Sequence, residues 1–164
     1  MTLDERLAHA IELRGQSQFT EALAILLDLN KKSPEDARVC YELAGTYDSQ
    51  GMEETAIPFY ERAMSNGLAD DDLRGCLVGL GSSYRCVERY GDAVRALQRG
   101  AAAFPDAKEF DVFLALTRYN MGEHDEAMRL LLHHIGEFTA DVKTKRYQRA
   151  ITYYAEHLNP PYDR

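Results

Sequence analysis

An alanine recurs along this chain at positions 22, 56, 93 and 127, each time after a polar residue and before an apolar one. The polar neighbours are Glu21, Thr55, Asp92 and Glu126, and the apolar ones are Leu23, Ile57, Val94 and Met128. The steps between the alanines are 34, 37 and 34 residues. A second series of small residues, Ala10, Ala44, Gly81 and Ala115, keeps the same steps, and so does a bulky series, Leu26, Tyr60, Leu97 and Leu131. Pro34 and Pro105 take the matching place in the first and third copies, with Leu68 and Thr139 in the others. A period of this length marks a stacked array of one supersecondary unit that cannot bury its apolar face alone.

Two antiparallel helices per copy account for the series. A small residue in each helix lets the pair approach closely, and bulky residues three or four positions away fill what space remains. Apolar periodicity predicts helices over roughly 3–14 and 18–32, 36–50 and 53–66, 73–87 and 90–103, and 107–121 and 124–137. Gly15, Gly51 and Gly122 are expected to supply the left-handed residue that ends each first helix. Glu88 takes that place in the third copy, where the turn should be less relaxed, and the first copy reads as having two extra turn residues before Phe19. The longer step places Asn66–Asp72 in a loop whose aspartates, Asp70, Asp71 and Asp72, are expected to cap the next helix and to favour its positive N-terminal end. Beyond the repeats, Tyr147, Ala150, Ile151, Tyr154 and Leu158 form one apolar stripe on a helix that ends at Asn159-Pro160-Pro161. Such a helix suits the covering of a last repeat.

The pattern resembles the tetratricopeptide repeat (TPR) family. The best local matches to its signature are Leu43-Ala44, Tyr47, Gly51, Ala56, Tyr60 and Ala63, then Leu80-Gly81, Tyr84, Tyr90, Ala93, Leu97 and Pro105. The departures are His9, Arg118, Gly100 and His134. The resemblance implies an all-α fold, a right-handed α-α superhelix of about four helical hairpins with a C-terminal capping helix. It would form a single domain over 1–164, with repeats at about 3–36, 37–70, 74–107 and 108–139 and the capping helix at 141–158.

Chemistry is poorly represented. The net charge of −8 disfavours a nucleic-acid surface, which needs a basic excess to displace phosphate counterions. No apolar run approaches the roughly 18 residues of a membrane span, and Met-Thr-Leu-Asp-Glu-Arg, acidic and without a following apolar core, is not expected to open a signal peptide. Cys40, Cys76 and Cys86 read as free thiols of a reducing compartment, which points to the cytoplasm. His133 and His134 point about 100° apart on a helix and cannot chelate together. Gly79-x-Gly81 lies inside a repeat helix without the rest of a phosphate loop. No cofactor, metal site or catalytic group is expected, and the chain reads as a non-enzyme.

What remains is a binding surface. By resemblance, the first helix of each repeat lines a concave groove, here through Asp4, Leu7 and Ile11, then Arg38, Tyr41, Gly45 and Asp48, Val78, Ser82 and Arg85, and Val112, Phe113, Leu116 and Tyr119. The basic clamp by which some relatives hold acidic chaperone tails is missing, its places being Leu7, Ile11, Glu42, Gly75 and Gly79. An apolar and aromatic wall suits an amphipathic helix or an apolar peptide. Arg38, Tyr41, Asp48, Arg85, Phe113, Leu116 and Tyr119 are therefore the expected contacts for a protein or peptide partner. The alternative is self-association into a homo-oligomer, with a ligand-sensing regulator further behind.

Overall fold

The computed structural model describes residues 2–158, and every regular element among them is a helix. The repeats supply α1 (Leu3–Gly15), α2 (Phe19–Lys32), α3 (Ala37–Asp48), α4 (Glu53–Ser65), α5 (Asp70–Cys86), α6 (Tyr90–Ala103), α7 (Glu109–Asn120) and α8 (His124–Phe138). A terminal segment adds α9 (Val142–Lys145) and α10 (Gln148–Glu156). The chain groups into two compact units, Met1–Arg89 and Tyr90–Arg164. No described helix is long and apolar enough to cross a membrane.

All eight small residues at the repeat positions are buried, which is what close helix approach requires. In the first unit Leu7 and Ala10 of α1, Leu26 and Leu29 of α2, and Val39 and Leu43 of α3 form one core cluster. Each of those leucines, buried fully, is worth about 1.5–3 kcal/mol of transfer free energy. Thus α3 serves its own hairpin and also covers the previous one. In the second unit α7 covers α6 in the same way, and its Phe110 lies against the backbone of Gly100. A Cβ on Gly100 would run into that ring, so the departure from alanine there makes room for a phenylalanine.

The turns correct part of the expectation. Within the hairpin turns the left-handed residues are Ser17 (φ 60°), Gly51 (φ 71°), Glu88 (φ 61°) and Gly122 (φ 82°), and Gly15 is not among them. Their steps are again 34, 37 and 34 residues, so the first turn has the same length as the rest and carries a serine at its strained place. In each case the next amide reaches back five residues to a carbonyl: Gln18 to Leu13, Met52 to Tyr47, Arg89 to Tyr84 and Glu123 to Arg118. These bonds satisfy carbonyls that a helix end leaves open.

The aspartates are also placed differently. Asp70, Asp71 and Asp72 form the first turn of α5 rather than a loop, and its N-cap, Ala69, makes no side-chain bond. They favour the helix through its positive end and not by capping.

The terminal segment is broken into two helices instead of one. Ala155 is buried, with Ile151 and Leu158 partly so, while Tyr147, Ala150 and Tyr154 of the expected stripe are exposed. The proposed stop at Asn159-Pro160-Pro161 lies outside the described residues.

Two substitutions test this packing. Glu88→Gly removes the left-handed penalty of a residue with a Cβ and should raise stability by about 0.5–1 kcal/mol, read as a higher melting temperature. Gly100→Ala gains about 1 kcal/mol of helix propensity, but crowding Phe110 should cost about 1–3 kcal/mol. The melting temperature is therefore expected to fall.

Candidate partner-binding site

Each repeat of the first unit fastens itself to the helix that follows. Arg14, at the end of α1, ion-pairs with Glu42 of α3 at 2.7 Å and donates to the Glu42 carbonyl at 3.4 Å. One repeat on, the same place holds Asp48. It accepts from the hydroxyl of Tyr60 on α4 at 3.1 Å and from that of Ser83 on α5 at 3.3 Å. Burial pushes both carboxyls, Glu42 and Asp48, above the usual carboxylate range, and these donors work against the shift. Burial raises the Tyr60 phenol too, and the nearby Asp48 charge adds to it.

These contacts fill the surface that was expected to be open. The Tyr60 side chain lies over Gly79, Tyr41 lies over Gly75, and the Arg14 guanidinium sits 2.7 Å from where a Gly45 Cβ would be. Tyr41 and Tyr60 are neighbours, with ring centroids 6.3 Å apart. Among the expected contacts, Tyr41 and Asp48 thus bind the stack together from inside the first unit. Leu7, also expected on the wall, is fully buried. Arg38 is exposed between two acids, at 3.3 Å from Asp4 of α1 and 3.6 Å from Asp72 of α5. Arg85 is half-buried at the end of α5.

In the second unit the picture reverses. Phe113 is half-buried, but Leu116 is 43% exposed and Tyr119 is 61% exposed. Leu116 and Tyr119, with Ala115, form one wall of a cleft of about 340 Å³. Its other wall is His124, Ala127, Met128 and Leu131 of α8, and the lining is overwhelmingly apolar. The Tyr119 and His124 rings meet at the mouth, with centroids 4.8 Å apart. Met128, His124 and Leu131 were not among the expected contacts, because second helices were assigned to packing alone. Nothing in the sequence marks them, since Met128 stands where the other copies have Leu23, Ile57 and Val94.

His133 is held by Glu156 of α10, and no group of three or more metal-ligating side chains occurs among the described residues. Cys40 and Cys76 are buried free thiols and Cys86 is an exposed one.

The two tyrosines should therefore behave differently. Tyr41→Ala opens a gap above Gly75 and beside Tyr60, and should cost about 1–3 kcal/mol. Tyr119→Ala touches an open surface and should change stability by less than about 0.5 kcal/mol. Thermal melts of the two variants check the contrast.

Comparison with known proteins agrees with this architecture. Nothing among curated proteins matches the sequence. Among solved structures, MamA is 20% identical with a TM-score of 0.72, over 96% of this chain and 90% of that one. Pseudomonas aeruginosa PilF is 15% identical with a TM-score of 0.68, over 94% of this chain and 66% of that one. The APC/C hetero-tetramer Cut9–Hcn1 contains a match at 15% identity and a TM-score of 0.74, covering 89% of this chain but only 29% of that one. These similarities establish the all-helical hairpin-repeat fold. The model of the family described as the tetratrico peptide repeat matches residues 37–158. Repeats of this kind are scaffolds for protein–protein interaction. With its helical hairpins, its stepped small residues and this match, the chain belongs to the tetratricopeptide repeat family.

Proposed function

We propose that this chain is a non-catalytic interaction module that holds a segment of a partner protein against α7 and α8. The observation that carries the reading is the exposure of Leu116, Tyr119 and Met128 around one apolar cleft. Leucine and methionine left in water cost free energy that a partner's apolar side chains would recover, and tyrosine combines contact area with a polar tip. Phe113 extends the surface along α7. Within the first unit Arg38 and Arg85 are proposed, separately, as polar contacts for a partner, whereas Tyr41 and Asp48 act as supports. Free thiols suit a reducing compartment, and the cytoplasm is the proposed setting.

Leu116→Ala and Tyr119→Ala should each weaken partner capture about fivefold or more at unchanged melting temperature. Quantitative pull-down with the parent and both variants measures this. Retention of every captured protein by both variants overturns the placement. Self-association is the second reading, favoured by exposed Val142, Tyr147 and Tyr154 in the terminal segment. Light scattering at rising concentration detects it.

A further inference from the structure

The cleft occupies a specific place in the repeat. Moving back by two steps, 34 and 37 residues, sets Tyr119 on Asp48, Met128 on Ile57 and Leu131 on Tyr60. In that earlier hairpin Ile57 and Tyr60 are buried, and Asp48 is bonded to Ser83 of α5. The first helix of the next repeat thus occupies the corresponding place on α3 and α4. On α7 and α8 that place is open: Met128 is 49% exposed and Ile135 is 44% exposed. The terminal helix does not fill it. Instead, α10 packs on another face of α8, where Glu156 meets Arg129 and His133, and Thr152 and Ile151 lie beside Gly136. Two steps back, those α8 positions are Pro58, Arg62 and Ser65.

We propose that the open end of the last hairpin seats one amphipathic helix of a partner protein, which docks as the first helix of a further repeat. This rests on the reading of the chain as an interaction module and specifies the partner's chemistry. The occupant's pattern comes from the three helices that already make this contact. Their inward residues are Val39, Leu43 and Thr46 on α3, Cys76, Leu80 and Ser83 on α5, and Phe110, Leu114 and Thr117 on α7, all buried. The shared pattern is an apolar residue, then leucine four positions on, then serine or threonine three further. A second copy's α1 does not fit, because those places are Glu5, His9 and Glu12, all exposed and polar. The seat also sets the first residue's size. His134 stands where the first hairpin has Leu29 and the third has Gly100, so a residue of valine size fits and a phenylalanine does not.

The probe is a fluorescent synthetic peptide of residues 36–50 carrying Cys40→Ser, titrated into the full chain and followed by anisotropy. Saturable binding is expected, with a gain of helix in the peptide. Met128→Asp or Ile135→Asp in the protein, or Leu43→Asp in the peptide, should weaken it about tenfold or more. Unchanged melting temperatures of the two protein variants separate lost docking from lost folding. Absence of saturable binding, or indifference to both α8 variants, overturns the seat. So does self-association that Met128→Asp abolishes, which would make a second copy the occupant. Partner capture that depends on Tyr119 but not on Met128 or Ile135 overturns the seat while leaving the broader interaction reading intact.

Discussion

The contact on which this structure depends is the approach of two helix backbones at a pair of residues too small to hold them apart. Within the first unit Ala10 and Ala44 line the first helices and Ala22 and Ala56 the second, and within the second unit Ala115 of α7 and Ala127 of α8 play the same parts, all of them buried. Close approach brings dispersion contacts along the helix pair and forces neighbouring bulky side chains outward, onto the next helix in line. Stacking is therefore a consequence of hairpin formation. Leu26 and Leu29 share one core cluster with Leu7 and Ala10 of their own hairpin and with Val39 and Leu43 of α3.

Polar groups secure the same stacking direction. Arg14 and Asp48 stand one step apart, and each bonds to the first helix of the following repeat. The pairs are embedded, so each carries a desolvation cost that only a well-placed partner offsets. That gives register as well as attachment, since a slipped helix would leave Glu42 or Asp48 buried without a donor.

Much of this was legible because a repeat multiplies each signal. The helix spans and the small-residue contacts followed from residue types that four copies share. What was not legible depended on single side chains. The left-handed serine at position 17 was hidden because Gly15 is the more obvious turn residue, although counting back 34 residues from Gly51 finds it. An apolar stripe on the terminal helix showed that one face needs cover without saying which neighbour gives it. The structure turns Ala155 inward and leaves Tyr147 out. Tyr41 and Asp48 looked like contacts for a partner because the repeat places them on the first helices. Their reach onto glycines and serines of α5 is a matter of side-chain length and rotamer, which periodicity does not carry.

The faces of α1 and of the last hairpin are unlike, which bears on how copies of the chain could stack. An array whose first and last faces matched would be a heterologous contact repeated without closure, the geometry that builds filaments. Here the leading face presents Glu5, His9 and Glu12, and the trailing face presents Leu116, Met128 and Ile135. Burying the carboxylates of one copy against the leucine and methionine of another would leave two charges desolvated and unpaired. Stacking α1 of one copy on the α7 and α8 face of another is therefore disfavoured, whichever partner helix the proposed seat accepts.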